Sequence, residues 1–363
     1  MGKKKGKSQK PSLYDLTPAE LESFFLSIGE KSYRARQVMD FLYLHPVDSF
    51  DEMTNLPLDL RERLSETLIL APIVLRETVE APDGTVKHGY EVEGPPNRDI
   101  LLESVWMPAE STDAVSSGKD RFTLCISSQL GCAAKCGFCA TGKLGLHAQL
   151  SMGQIVYQVV HALKMYGKLP DTVLFMGMGE PMHNLDAVEK AVEIFTHPEA
   201  LGMSPRRIVV SSCGEIERLD KFRRKFPRVR IAISLNAATD DLRSRLMPIN
   251  ETFGLDAIRS FIKAAEEENG EKITLEYVML GGINDTDSQL AALVRFLRPI
   301  ADRVKVNLIQ YNPVDKSDFR QPKIERIREM QNALREIGVM TFIRRNRGRS
   351  VSAACGQLAG SKL

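Results

Sequence analysis

The pattern of hydrophobic residues changes twice along the chain, and each pattern predicts a different kind of structure. From residue 13 to about 70 the apolar positions return at helical spacing, and Thr17 followed by Glu20 is typical of a capped helix start. From about 72 to 108 the period falls to two on both sides of Asp83-Gly84, which predicts a β-hairpin and one further strand. The chain therefore begins with a small helical domain that is followed by a β-hairpin extension.

From about 121 to 314 short apolar runs alternate with amphipathic helices. The six runs are FTLCIS (122–127), TVLFM (172–176), RIVVSS (207–212), IAISL (231–235), ITLEYVM (273–279) and VKVNLI (304–309). Six strand–helix units in about 190 residues predict an α/β fold, in which a parallel sheet is rolled into a partial, TIM-like (βα)6 barrel. The clearest helix begins with a capping box at Ser151 and Gln154.

In barrels of this kind the working groups lie at the C-terminal ends of the strands and in the loops that follow them. Here those positions carry small and polar residues: Gly177-Met178-Gly179-Glu180-Pro181, Ser211-Ser212, Ser234-Leu235-Asn236 and Asn312-Pro313. We divide the chain into a disordered basic arm (1–12), a helical domain (13–70), a hairpin with a polar linker at 109–119 (71–120), the barrel (121–315) and a C-terminal helix, strand and loop (316–363).

Composition confines the protein to the soluble, globular class. The 363 residues are 43% hydrophobic and 26% charged, which suggests about two domains and excludes a wholly disordered chain. No run of eighteen apolar residues and no apolar stretch after the first lysines is present, so we expect a cytoplasmic protein with no membrane span. The net charge is only +2, yet five lysines fall in the first ten residues: Lys3, Lys4, Lys5, Lys7 and Lys10. They predict a solvated arm, which either solubilises the chain or contacts a polyanion.

Three of the six cysteines, Cys132, Cys136 and Cys139, lie within eight residues directly after the first barrel strand. In a reducing cytosol such a cluster indicates metal ligands or redox-active groups. A structural zinc needs a fourth ligand, and the nearest candidates, His147 and His161, complete no familiar zinc spacing. Three thiolates around a 4Fe-4S cluster leave one iron open to the amino and carboxylate groups of a substrate. We therefore interpret the triplet as the ligands of such a cluster.

The spacing Cys-x-x-x-Cys-x-x-Cys, with Phe138 before its last cysteine and GMGEP at 177–181, resembles the radical S-adenosylmethionine superfamily over about 121–314. The resemblance implies one 4Fe-4S cluster and reductive cleavage of S-adenosylmethionine to a 5′-deoxyadenosyl radical. By the same resemblance the S-adenosylmethionine site is lined by Gly179, Glu180, Ser211, Ser234, Leu235, Asn236 and Asn312.

A closer resemblance covers nearly the whole chain. LCISSQLGC around Cys125, CGFCATG and AACGQLAG around Cys355 are similar, in order and spacing, to the RlmN/Cfr family of radical methyltransferases that act on RNA adenines. The family resemblance implies that Cys355 accepts a methyl group from one S-adenosylmethionine, and that a radical from a second one activates this methyl for addition to the adenine. Cys125 matches the residue that resolves the adduct through a disulfide with Cys355. Glu103 matches the proton acceptor, with a solvent-facing strand carboxylate as the alternative.

Partners and position of attack are also implied by this resemblance. The helical first domain and the RNRG before Cys355 look more like the RlmN branch, which implies methylation at adenine C2. The implied RNA substrates are 23S rRNA, at an adenine of the peptidyl-transferase centre, and tRNA, at the adenine 3′ of the anticodon. The resemblance also implies an electron donor such as flavodoxin and a monomeric enzyme. The sequence departs from the family pattern at two places. Asn236 stands where histidine is common, which concerns the ribose contacts, and Ser350-Val351-Ser352 stands where Asp-Ile-Asp is common, which concerns the terminal loop.

Basic residues indicate where RNA would lie. Arg344, Arg345, Arg347 and Arg349 precede Cys355 closely, and we expect them to hold phosphates beside the methyl-carrying thiol. The lysines and arginines of 221–230 are interpreted as a solvated face, and Cys213 as a packing residue. Three other functions stay open at this point: C8 methylation of the Cfr type, a radical enzyme with a non-RNA substrate, and a zinc-stabilised RNA-binding module.

Overall fold

The computed structural model describes residues 10–92, 100–108, 121–314, 317–344 and 346–360. The predictions made for the linker at 109–119, for Arg345 and for most of the basic arm, including Lys3, Lys4, Lys5 and Lys7, lie outside the described residues.

The first part of the chain folds into three short helices: α1 (Pro18–Ser27), α2 (Tyr33–Met39) and α3 (Leu58–Thr67). The predicted capping box is confirmed, since Thr17 accepts from the Glu20 amide and Glu20 accepts from the Thr17 amide. The apolar stripe is buried, and Tyr14 packs edge-on against Tyr157 of the barrel at a centroid distance of 5.3 Å. The Gly153 amide also donates to Asp15 Oδ1 at 2.8 Å. Aromatic packing and this bond therefore fix the helical region to the barrel.

Ten strands form one continuous sheet in the order β1-β2-β3-β4-β7-β8-β9-β10-β11-β12, and β5 pairs separately with β6. The strands are β1 (Val74–Glu80), β2 (Val86–Glu91), β3 (Leu102–Pro108), β4 (Phe122–Ile126), β5 (Gln129–Gly131), β6 (Leu146–Gln149), β7 (Thr172–Phe175), β8 (Ile208–Ser212), β9 (Arg230–Ser234), β10 (Ile273–Met279), β11 (Val304–Gln310) and β12 (Met340–Arg344). The pairing is antiparallel up to β4 and parallel from β4 to β12.

All six predicted barrel strands are present, as β4, β7, β8, β9, β10 and β11. The sheet is larger than the sequence predicted, because the hairpin and β3 extend it at one edge and β12 adds a seventh parallel strand at the other. Strand β12 is short, and four of its five residues are at least partly exposed, a pattern that is typical of an edge strand and gives only a weak barrel signal in the sequence.

Eight further helices lie within the described part of the barrel and C-terminal region. They are α4 (Ala140–Leu144), α5 (Met152–Tyr166), α6 (Leu185–Thr196), α7 (Ile216–Lys225), α8 (Asp240–Leu246), α9 (Leu255–Asn269), α10 (Asp287–Leu297) and α11 (Ile324–Glu336). The capping box at Ser151 and Gln154 is confirmed at the start of α5. The predicted apolar face of α5 is in the core, with Ile155, Val156 and Val159 fully buried.

A buried arginine joins the C-terminal ends of two strands. Arg243 of α8 donates from Nη2 to the carbonyls of Cys213 (2.7 Å) and Ser234 (3.1 Å), and from Nε to that of Leu235 (3.1 Å). Its Nη1 donates to Asn250 Oδ1 at 2.9 Å. Burial lowers the pKa of Arg243 to about 10, which still leaves the guanidinium charged at neutral pH. One side chain therefore fixes the loops that follow β8 and β9.

Replacing Arg243 should destabilise the fold strongly. In Arg243→Met three buried carbonyls lose their donor, and we expect the free energy of unfolding to fall by about 3 kcal/mol or more. Arg245→Met is the matched control, since Arg245 lies on the same helix in an exposed pair with Asp241, and its effect should stay within about 0.5 kcal/mol. Urea unfolding followed by circular dichroism measures both values, and equal stabilities would contradict this role.

Candidate active site

Two adjoining spaces open at the C-terminal ends of the parallel strands. The inner cavity is lined by the cysteine triplet and by residues of β8, β9 and β10, and the outer cleft by residues of β4, β7, β12 and the C-terminal segment. The outer cleft has a volume of about 490 Å³, within the usual range of small-molecule pockets. Cys355 and Cys139 line both spaces, so the two meet at these sulfurs.

Backbone contacts shape the loop that carries the cysteine triplet. Gly131 has φ +78°, and a Cβ there would lie 1.9 Å from the Gly145 carbonyl oxygen, so this position requires glycine. The Cys132 amide donates to the same carbonyl at 2.9 Å, and the Gly137 amide to that of Leu246 at 3.0 Å. The pairing of β5 with β6 and these bonds turn all three thiols into the inner cavity.

The three thiols fit an iron–sulfur cluster better than a single ion. Within the described parts of the chain no three His, Cys, Asp or Glu side chains converge as one metal ion would require, whereas Cys132, Cys136 and Cys139 face one cavity from separate positions. Burial raises the pKa of Cys132 to about 12 and that of Cys136 further. Only a bound cation would stabilise these thiolates, and each sulfur could ligate a different iron. Neither His147 nor His161 lines the cavity, and His161 Nδ1 lies 3.0 Å from the Tyr90 hydroxyl behind the sheet.

The GMGEP loop is held rigidly at the wall of the inner cavity. Gly179 has φ +103°, and a Cβ there would meet the Gln129 side chain at 2.6 Å. The Glu180 carboxylate accepts from the amides of Met182 (3.1 Å) and Cys213 (2.7 Å). Both of its oxygens are therefore engaged, and Glu180 orders the loop through the backbone of β8. Backbone groups of the loop remain to face a ligand.

Five of the seven residues expected at the S-adenosylmethionine site line the inner cavity: Gly179, Glu180, Ser211, Ser234 and Asn236. Leu235 is buried behind the wall, and its carbonyl accepts from Arg243. Asn312 lies beneath Cys355, where its Nδ2 donates to the Cys355 carbonyl at 3.2 Å and its Oδ1 is buried without a hydrogen-bond partner among the described residues. A free acceptor at this point suits a bound polar ligand.

Asn236 adopts a conformation that explains its place at a position where histidine is common. Its φ is +55°, in the left-handed region that asparagine tolerates better than most residues. Its Oδ1 accepts from the Val278 amide at 2.8 Å, and its Nδ2 lies 3.2 Å from Met247 Sδ. The side chain thus fixes β9 to β10.

Cys355 and Cys125 face each other across the outer cleft. Of the six cysteines, Cys355 is the exposed one. Protein surrounds its loop, but the residue lines the open outer cleft and is accessible from there. Cys125 lies on β4, and burial together with the charge of Cys355 raises its pKa to about 12. Burial also raises the pKa of Cys355, while the nearby Arg344 opposes this rise. Both thiols are free in the structure.

Glu103 is buried on β3 and is not the solvent-facing carboxylate that the sequence left open. Its carboxylate lies 2.8 Å from Lys87 Nζ and accepts from the Gly360 amide at 3.0 Å. It shares one face of β3 with Val105, whose partner in the sheet register is Cys125. Glu103 therefore lies near the cleft, but its carboxylate holds the C-terminal segment and is not part of the cleft lining.

Sequence reasoning missed Glu276 of β10, which lines the inner cavity together with Cys213. Arg344, which was expected to hold phosphates, lines the outer cleft and lies 3.7 Å from this carboxylate. Cys213 is buried, as predicted for a packing residue. The signal for Glu276 was a lone acid inside the apolar run ITLEYVM, since a buried strand rarely carries a charge without a reason. In the 221–230 group, Arg224 is exposed, as predicted for a solvated face, but Arg223 is buried, so the prediction was wrong for that residue; both pair with Asp220 and Glu268, and the two ion pairs compensate the buried charge of Arg223.

Comparison with known proteins identifies the family. Residues 12–70 match the ribosomal RNA large subunit methyltransferase N-terminal domain, and residues 126–297 match the radical SAM superfamily. A probable dual-specificity RNA methyltransferase RlmN from Christiangramia forsetii is 37% identical over 97% of each chain. The RlmN of Syntrophotalea carbinolica is 38% identical over 96% of this chain and 89% of its own.

Among solved structures, a radical SAM methyltransferase from Sphaerobacter thermophilus superimposes with a TM-score of 0.88 and 36% identity, over 96% of this chain and 98% of that one. Within the described residues no helix is both long and apolar enough to span a membrane. Sequence and fold agree over nearly the full length, and the chain belongs to the RlmN family of radical S-adenosylmethionine RNA methyltransferases.

Proposed function

We propose that this protein methylates C2 of adenine in RNA and carries the methyl group on Cys355. The observation that carries the proposal is the position of this thiol, which lines both the inner cavity and the outer cleft. A methyl group on its sulfur could be activated from the inner cavity and delivered to a base in the outer cleft. The family's RNA methyltransferase activity and the names of the relatives agree with this role.

Adenine C2 needs an unusual route because it is an electron-poor ring carbon with no lone pair to attack a sulfonium methyl. When bound to Cys132, Cys136 and Cys139, the cluster together with S-adenosylmethionine supplies a radical that can remove hydrogen from an unactivated carbon. Gly179, Glu180, Ser211, Ser234, Leu235, Asn236 and Asn312 would bind S-adenosylmethionine or fix its site. A one-electron donor such as flavodoxin would supply the reducing electron.

Cys355 would first accept the methyl group as a thiolate. Its sulfur forms a bond to the methyl carbon while the carbon–sulfonium bond breaks and its electron pair stays on the departing sulfur. Arg344 supports this step, because its charge counteracts the rise in the pKa of Cys355 that burial causes. After hydrogen removal, the Cys355-bound carbon radical would form the new bond to adenine C2, and the resulting adduct radical would lose one electron to the one-electron donor in its oxidised form.

Cys125 and Glu103 would complete the reaction. Glu103 would take the proton from C2, which requires its Gly360 bond to open when the C-terminal segment moves. Cys125 would then attack the Cys355 sulfur, so that an S–S bond forms, the S–C bond breaks and the carbon takes the electron pair and a proton to become the methyl group. Cys125 lies near enough to Cys355 for their charges to interact. The disulfide would be transient and be reduced before the next turnover.

We further propose 23S rRNA and tRNA as the substrates of a cytoplasmic, monomeric enzyme. The target base would be splayed out of a loop to reach the cleft. Arg347 lines the cleft and Arg349 is exposed beside it, where both could contact phosphates.

Loss of the methyl carrier should abolish product. After anaerobic reconstitution with iron and sulfide, Cys355→Ala should form no 2-methyladenosine on 23S rRNA fragments or tRNA, while the wild type does. Nucleoside mass spectrometry detects the product, and iron analysis shows whether the cluster is retained. Methylated RNA from Cys355→Ala would contradict the covalent route, and 8-methyladenosine from the wild type would contradict attack at C2.

Loss of the resolving thiol should trap the reaction before release. Cys125→Ala is expected to lower turnover at least about 100-fold, because a covalent Cys355–RNA adduct cannot be opened. Denaturing electrophoresis with labelled RNA should reveal the adduct, and the double variant Cys125→Ala/Cys355→Ala should show none. Normal turnover by Cys125→Ala would remove this residue from the mechanism.

A further inference from the structure

One carboxylate oxygen in the inner cavity has no partner. Glu276 is buried, and its Oε1 accepts from Asn307 Nδ2 at 2.9 Å and lies 3.7 Å from Arg344 Nη1. Its Oε2 is buried as well but makes no hydrogen bond among the described residues. A buried acceptor in this state costs free energy unless a ligand brings a donor. Burial raises the pKa of Glu276, and such a donor would stabilise the carboxylate.

Glu276 lies on the wall of the cavity that Cys355 also lines. Glu276 pairs with Ser234 on one side and Asn307 on the other, and Arg344 lies opposite Ile309 on the next strand pair. Glu276 and Cys355 line the same inner cavity, while Arg344 and Cys355 line the same outer cleft. Cys355 therefore shares one lining with each member of the Glu276–Arg344 pair, and the charges of both act on its pKa.

The structure of adenine indicates which group such an acceptor could bind. In adenine, C2 and the 6-amino group flank N1 on the same edge of the ring. A carbon delivered to C2 from Cys355 therefore leaves the 6-amino group close to the neighbouring side chains. Hypoxanthine, which like adenine has a hydrogen on C2, presents an oxygen acceptor at position 6 where adenine presents a donor.

We propose that the N1 edge of the adenine that is methylated reaches past Cys355 from the outer cleft into the inner cavity, where Glu276 Oε2 accepts a hydrogen bond from its 6-amino group and thereby selects adenine over hypoxanthine. The inference rests on the proposed function. Asn307 and Arg344 act as positioning residues, because both contact Oε1 while Oε2 has no hydrogen-bond partner among the described residues. Hypoxanthine O6 would place one acceptor against another at this site. The adenosine part of S-adenosylmethionine carries the same amino donor, so the test must separate the two sources.

The test compares RNA with adenosine at the target position with the same RNA carrying purine riboside, which lacks the amino group. Wild-type protein should show a kcat/KM about 10- to 100-fold higher for adenosine, the range expected for one hydrogen bond to a charged group. Glu276→Met has no acceptor, and its kcat/KM values for the two RNAs should agree within about threefold. Glu276→Gln keeps the shape and one carbonyl acceptor and should retain a reduced preference. An undiminished preference in both variants would overturn the inference.

A second measurement distinguishes the target base from S-adenosylmethionine. Methylation of Cys355 without RNA, followed by intact-protein mass spectrometry, should be at least as fast in Glu276→Met as in the wild type, because the charge of Glu276 raises the pKa of Cys355 and its loss favours the thiolate. A loss of this first step would assign the carboxylate to S-adenosylmethionine and overturn the inference. Glu271→Gln is the matched control, since Glu271 precedes the same strand and lines neither cavity. If the wild type forms no 2-methyladenosine on the adenosine RNA, the proposed function fails, and this inference fails with it.

Discussion

The site depends on how the C-terminal segment is held across the mouth of the barrel. Five hydrogen bonds fix its described residues 355–360: Asn312 to the Cys355 carbonyl (3.2 Å), the Ala140 amide to the Gly356 carbonyl (2.8 Å), Gln357 to the Pro313 carbonyl (2.9 Å), Thr141 to the Leu358 carbonyl (2.5 Å) and the Gly360 amide to Glu103 (3.0 Å). Two of them start from residues directly after Cys139, so the thiol and the cysteine loop are fixed to each other. Without these contacts Cys355 would be a thiol on a free tail, and the two cavities would have no common wall.

The same bonds suggest why the segment can also move. These hydrogen bonds are few, and they involve mostly backbone groups. The stretches of chain between them are short and include two glycines at positive φ, Gly356 and Gly360. The proposed chemistry requires the Cys355 sulfur to meet a methyl donor first, then a base, and finally Cys125. A segment held by a small number of hydrogen bonds can make such shifts at a moderate cost in free energy. The β-strands beneath it stay fixed, since Arg243 joins their ends.

Much of the architecture could be predicted because its signals are local. The capping boxes at Thr17 and Ser151, the turn at Asp83-Gly84 and the six apolar runs depend on neighbouring residues, and all appear in the structure. The cysteine triplet could be interpreted for the same reason. The partners of Glu103 could not, because Gly360 is 257 residues away in the chain. Nor could the position of Glu276 and Arg344, which arises only when β10 and β12 flank β11.

The central claim is that the methyl carbon passes through Cys355 before it reaches RNA. It is tested most directly by methylating Cys355 with S-adenosylmethionine that carries a trideuterated methyl group, removing the excess, and starting a single turnover with RNA and unlabelled S-adenosylmethionine. The account predicts 2-methyladenosine with two deuterium atoms in its methyl group, because one is removed before transfer. A first product without deuterium would show that the methyl group reaches the base directly, and would contradict the role of Cys355 as its carrier.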